Sequence, residues 1–227
     1  MSHIILFDID GTLVLTGGAG GRAMRRAFRD VFNIEDAFDG IPMPGRTDLS
    51  IIRDALKQAG LVHEDGPITR LRDRYFHHLA EALQEPHPRK VIMPGVRELL
   101  DALHGRDDVF LALLTGNFAR SAQLKLEYFD LWRYFRCGAF ADDAEDRNQL
   151  LPVALERAAI HGAPALSPEQ VIVVGDTPLD VACAAASGAR AVAVATGPAD
   201  VATLRACGAD VVFEDLTDTD RFLALLG

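Results

Sequence analysis

No apolar run in this 227-residue chain approaches the ~20 residues that a membrane-spanning helix needs. A soluble protein is the expectation, without a membrane partner. The amino-terminal residues pass straight into the strand-like HIILFD, without the basic flank of a secretion signal. Cysteine is scarce: Cys137, Cys183 and Cys207 form no CxxC pair and leave at least one thiol unpaired, which suits a reducing compartment and makes the cytoplasm the expected location. Positive charge is also short. Lys and Arg total 23 against 33 Asp and Glu, a net charge of -10, which opposes the phosphate attraction that dominates nucleic-acid binding. Internal repeats and low-complexity tracts are missing as well.

What remains is material for a core: 49% of the residues are hydrophobic, in a chain long enough for one large or two small domains. His3 to Asp8, Val109 to Thr115, Val171 to Asp176 and Ala191 to Thr196 are short apolar runs that stop at polar or turn residues, the pattern of strands buried on both faces. CGAF (137–140) and DVVFED (210–215) are weaker strand candidates. Helical periodicity falls between and after the strands, over Val96 to Leu103, Ala119 to Tyr128, Leu150 to Ala159, Leu179 to Ala186 and Phe222 to Leu226. Alternating strand and helix predicts an α/β fold: a Rossmann-like parallel sheet with helices on both faces.

One region breaks the alternation. From about Gly21 to Leu83 the pattern is helical and charged, with Phe28, Phe32, Ile51, Ile52, Leu56, Leu71, Phe76 and Leu79 at helical spacing. We read residues 16–90 as an inserted all-helical domain and residues 1–15 and 91–227 as the α/β domain. TGGAGG (16–21) and EPHPRKVIMPG (85–95) would be the connectors, able to act as hinges. The glycine run misses the GxGxxG register of a dinucleotide loop and reads more simply as a flexible flap.

The strands deliver chemistry to their carboxyl ends, where open α/β sheets bind ligands. Asp8 and Asp10 follow the first, Thr115 the second and Asp176 the next. Carboxylates and a hydroxyl without a histidine or cysteine partner suit a hard cation with oxygen ligands. Each residue alone also reads as a turn or a helix cap; the ordered set does not.

The set resembles the haloacid dehalogenase superfamily, in its phosphatase branch with a helical cap. Asp8, Asp10, Gly11 and Thr12 match the first motif, DxDGT; Thr115 in LLTGN matches the second; Gly175, Asp176 and Asp180 in GDTPLD match the fourth. The resemblance implies Asp8 as nucleophile, Asp10 as general acid and base, and Mg²⁺ held by Asp8, Asp176 and the Asp10 main-chain carbonyl, with Asp180 in the metal group, orienting a metal-bound water or a ligand. It implies phosphate contacts from Thr115, the Gly116 amide and Asn117, and a small phosphorylated metabolite as substrate. The third motif departs from pattern: a lysine is usual, and AEDRNQLLPVALERA offers Arg147 instead. Arginine keeps the charge and can contact oxygens bidentately. Lys125 is the fallback, read as a solvated helix lysine. In the insert, GRTDLSII (45–52) resembles the substrate-facing loop of phosphoglycolate-type members, making Arg46 and Thr47 candidate substrate contacts; a helix start capped by Thr47 or Asp48 is the plainer reading. His77, His78, Met43, Met93 and Trp132 read as surface or packing residues.

Rival readings share this frame. The 2-haloacid dehalogenases lack an acid at the position of Asp10 and need no metal. A sugar-phosphate mutase would keep both aspartates. A non-enzymatic phosphoacceptor of the receiver type has about half this length and no insert. The assembly state is left open.

Overall fold

The computed structural model describes residues 2–61 and 65–227. In chain order the elements are β1 (His3–Phe7), β2 (Val14–Thr16), α1 (Ala19–Phe32), α2 (Asp48–Gln58), α3 (Asp65–Gln84), β3 (Lys90–Ile92), α4 (Val96–His104), β4 (Val109–Leu114), α5 (Ala119–Tyr128), β5 (Gly138–Ala139), α6 (Leu150–Ile160), β6 (Val171–Gly175), α7 (Pro178–Ala186), β7 (Arg190–Val194), α8 (Val201–Ala206), β8 (Val211–Phe213) and α9 (Thr219–Leu223).

Six strands form one parallel sheet in the order β5-β4-β1-β6-β7-β8. The apolar runs alternate between its two faces, as a strand period of two requires. Ile5, Phe7, Leu111, Leu113, Ile172 and Val174 join one cluster with residues of α4, α5 and α9, while Ile4, Leu6, Phe110, Ala112, Val171 and Val173 join the other with residues of α6, α7 and α8. Helices therefore cover both faces, and the Rossmann-like α/β expectation holds. Strand order reverses between β1 and β6, so the crevice at their carboxyl ends is the topological switch point. Asp8, Asp10 and Asp176 follow those two strands.

Helices α1, α2 and α3 bury a separate cluster that includes Phe28, Phe38, Ile52, Leu56, Leu71 and Tyr75. They are joined to the sheet domain through β2 and β3, which pair antiparallel from Val14 opposite Ile92 to Thr16 opposite Lys90. The segments read as loose connectors thus contain a two-stranded ribbon, and the divisions at 15/16 and 90/91 fall within it. The glycine run also differs from a flexible flap: Gly17 and Gly18 turn at positive φ and α1 begins at Ala19. Among the described residues no helix is long and apolar enough to cross a membrane.

Candidate active site

The loop after β1 is held tightly. Val14 and Leu13 donate from their amides to the Ile9 carbonyl, at 3.0 and 2.9 Å, and the Gly11 amide donates to the Val14 carbonyl at 3.0 Å. Gly11 takes φ +86°, and a β-carbon there would lie 2.4 Å from Asp176 Oδ2, so glycine lets the β1 loop fold against the end of β6. Thr12 donates its hydroxyl to Asp176 Oδ1 at 3.0 Å. The Asp8 amide donates to the Val174 carbonyl at 2.9 Å, fixing the carboxylate between the two central strands.

Asp8, Asp176 and Asp180 each place a carboxylate oxygen within 4.8 Å of the others, and all three are buried. Among the described residues one cation faces them: Arg147 Nη2 lies 3.1 Å from Asp8 Oδ1 and also pairs with Asp180 Oδ1. Asp180 closes α7's capping box with its other oxygen, accepting from the Thr177 amide at 3.0 Å and hydroxyl at 2.7 Å. Both of its oxygens are thereby engaged, so it braces Arg147 against Asp8.

This arrangement leaves excess negative charge out of water. Burial pushes the Asp8 carboxyl up to about 6 against the pull of Arg147, with Asp180 and Asp10 adding to the rise. Burial, then Asp180 and Asp8, lift Asp176 to about 9. Arg147 is itself buried, which opposes its charge, yet Asp180 and Asp8 together outweigh burial and hold the guanidinium protonated. A cluster of oxygen donors with more negative than positive charge fits a hard divalent cation, the group the resemblance implies.

A second network surrounds Asp10, whose side chain is half-exposed. Asn117 donates from Nδ2 to Asp10 Oδ2 at 2.8 Å and to Thr115 Oγ1 at 2.9 Å. Lys125 Nζ donates at 2.6 Å to Asp10 Oδ2 and at 2.6 Å to Asn117 Oδ1. Lys125 is only 4% exposed, so the expectation of a solvated helix lysine was wrong. Its side chain comes off α5 toward the loop after β1, a direction no local pattern reveals. Thr115 is fully buried, and its hydroxyl oxygen also accepts from the Asn117 main-chain amide at 3.3 Å.

The helical unit lies over this floor. The Asp48 amide donates to the Gly116 carbonyl at 2.6 Å, and Arg147 Nη1 donates to the Gly45 carbonyl at 2.9 Å. A β-carbon on Gly116 would sit 2.1 Å from the Arg46 carbonyl oxygen, so glycine is what lets the 45–48 segment pass this close. Asp48 Oδ2 accepts from the Phe118 amide at 3.0 Å and the Ser121 hydroxyl at 3.2 Å, capping α5 from another element. Thr47 is the N-cap of α2, accepting from the Ser50 amide at 3.2 Å, and donates to the Glu145 carbonyl at 2.7 Å. It is buried and not among the side chains facing the cavity. Arg46 does face it, with its guanidinium on Asp54 at 2.7 Å.

Between floor and roof is a cavity of about 440 Å³, lined among others by Asp8, Asp10, Gly116, Asn117, Arg147 and Asp176. Met43, read from sequence as packing, also lines it. Residues 3–188 match the model of the haloacid dehalogenase-like hydrolases. The chain belongs to that family. It is 30% identical over 224 residues to phosphoglycolate phosphatase 1 of Pseudomonas aeruginosa, covering 96% of this chain and 78% of the relative. Phosphoglycolate phosphatase of Pseudomonas putida is 25% identical over 217 residues, covering 95% and 78%. In fold it is similar to a hydrolase from Pseudomonas syringae, with TM-score 0.71, 24% identity and coverage of 99% and 98% of the two chains.

Proposed function

We propose that this haloacid dehalogenase-like hydrolase is a Mg²⁺-dependent phosphatase that cleaves a small organic phosphate monoester through an aspartyl-phosphate on Asp8. The observation that carries the reading is the pairing at the cavity floor: Asp8 beside Arg147 and the carboxylate cluster, and Asp10 two residues on, anchored by Lys125 and Asn117. The phosphatase names of the relatives support it. A reducing cytoplasm suits the free Cys137, Cys183 and Cys207.

In the first step an Asp8 carboxylate oxygen bonds to phosphorus and the ester P–O bond breaks, its electron pair leaving on the alcohol oxygen, which takes a proton from Asp10. In the second, Asp10 takes a proton from water as the water oxygen bonds to phosphorus and the bond from phosphorus to the Asp8 oxygen breaks, its electron pair restoring the Asp8 carboxylate as inorganic phosphate is released. The Asp8 and Asp176 carboxylates and the Asp10 main-chain carbonyl would hold the divalent cation, which supplies the charge neutralisation that lets a carboxylate approach a phosphate dianion. Arg147, braced by Asp180, contributes fixed positive charge beside the nucleophile. The Gly116 amide, near the start of α5, is suited to an anionic oxygen, and Asn117 holds Asp10 in place. The helical unit, residues 16–90, serves as a cap that excludes water while the phosphoryl group is on Asp8.

Asp8→Asn removes the nucleophile at constant size. Phosphate release from an aryl phosphate with Mg²⁺ is expected to fall to background; wild-type release would overturn the assignment. Isomerisation of a hexose 1-phosphate with little phosphate released would point to a mutase instead.

A further inference from the structure

The cavity is polar at its floor and apolar where the alcohol part of the substrate must lie. Leu15, Met24, Met43, Ile51, Tyr75 and Pro198 face it there. Among the described residues lining it, every cationic side chain already has an acidic partner, the one buried donor without a partner, Arg147 Nε, lying away from the cavity surface. Arg147 serves Asp8, Asp180 and the Gly45 carbonyl; Lys125 serves Asp10 and Asn117; Arg46 serves Asp54 and the Pro42 carbonyl. The remaining charged side chains lining it are acidic: Asp48 on the roof side, and Asp8, Asp10 and Asp176 on the floor. A leaving group with its own carboxylate would therefore lose water without gaining a free counter-charge. Among the hydroxyls lining it, that of Thr196 is already committed, donating to the Gly11 carbonyl at 2.6 Å.

Space is provided as well as polarity. Gly18, Gly20 and Gly21 line the cavity at the start of α1, where side chains would otherwise project. A β-carbon on Gly21 would meet only Met43 Sδ, at 4.0 Å. Two methionines in the wall add an adaptable apolar surface. The volume, about 440 Å³, is in the range of sites that bury ligands much larger than a two-carbon acid.

Resting on the phosphatase reading, we infer that the leaving group is an uncharged, mainly apolar alcohol, alkyl or aryl, and not the carboxylate-bearing glycolate for which the relatives are named. The Met24, Met43, Ile51 and Tyr75 side chains of the roof take up its hydrocarbon part while the phosphate sits on the floor.

The test is a substrate series with wild-type protein and Mg²⁺: ethyl, butyl and hexyl phosphate beside 2-phosphoglycolate. Burial of each added methylene should raise kcat/KM by about fourfold until the wall is reached, and ethyl phosphate should exceed phosphoglycolate by at least about tenfold, the desolvation of a carboxylate being the difference. Gly21→Leu, a change that also improves helix propensity, should lower the hexyl-to-ethyl ratio by about tenfold by filling the space beside Met43. Met43→Arg should raise the phosphoglycolate-to-ethyl ratio. Preference for phosphoglycolate, or a flat chain-length series unmoved by Gly21→Leu, would overturn the inference while leaving a phosphatase. If no ester releases phosphate, the phosphatase reading fails separately, and calorimetry with hexylphosphonate and phosphonoacetate then decides the pocket's chemistry. Tighter hexylphosphonate upholds it; equal or tighter phosphonoacetate overturns it.

Discussion

Lys125 reaches Asp10 and Asn117 from the middle of α5, and its ammonium group has lost nearly all contact with water. Such a lysine holds the carboxylate of Asp10 in one place, where the proposed acid must meet the leaving oxygen. Lys125→Met keeps the length and apolar stem and removes the hydrogen bonds. Because general acid–base catalysis is worth ~10²–10⁴-fold, loss of its positioning should lower kcat by about tenfold or more, with KM nearly unchanged. The loss should be larger for an alkyl phosphate than for 4-nitrophenyl phosphate, whose leaving group needs little protonation. An equal loss on both would make Lys125 a purely structural residue. Sequence could not reveal this contact: AQLKLEYF reads as an amphipathic helix, and the partner lies 115 positions away. Asp8, Asp10, Thr115 and Asp176 were legible because each follows an apolar run that can only be a buried strand. Thr12 in the DxDGT match had no assigned task until its hydroxyl met Asp176.

At the scale of elements, α2 and α5 are joined by one carboxylate. Asp48 begins α2 and accepts from the start of α5, and burial pushes its pKa up to about 6 despite Lys125 and the Phe118 amide, with Asp10 adding to the rise. A folded-state pKa raised above the ordinary 3.8 means that the native protein binds this proton more tightly than the unfolded chain. Stability from this group is therefore gained as pH falls from about 6 toward 4, and is lost as pH rises through about 6. Asp48→Asn keeps an acceptor for Phe118 and stays neutral throughout. Its melting temperature relative to wild type should be higher at pH 8 than at pH 4.5, by on the order of 5 °C from a two-unit shift in a chain of this size. Thermal denaturation at the two pH values checks this; a difference independent of pH would remove the ionisation penalty from the account. The long core strands and the helices between them follow the apolar pattern closely. The β2–β3 ribbon does not, since three residues a side carry too little periodicity to signal a strand and the pairing is between distant segments. The six-residue α8 escapes notice for the same reason of length.

Across the whole molecule, the sheet's switch point, the β1 loop and the start of α7 concentrate carboxylates that the folded chain alone leaves under-neutralised. The raised Asp8 and Asp176, at about 6 and about 9, bind protons more tightly when folded than when unfolded. Without metal, these groups make stability fall as pH rises from about 4 through 9. A divalent cation must displace those protons, so its stabilising effect should grow over the same interval. At a Mg²⁺ concentration of ~100 times Kd, linkage gives about 2.7 kcal/mol. In a chain of this size that corresponds to a rise in Tm of about 5–10 °C. The shift should be larger at pH 8 than at pH 6 and should largely disappear in Asp176→Asn, which keeps the shape of the site but surrenders a charged ligand. A shift of equal size at both pH values, or one that survives Asp176→Asn intact, would locate the cation elsewhere. Measured without substrate, this response tests the metal site independently of turnover.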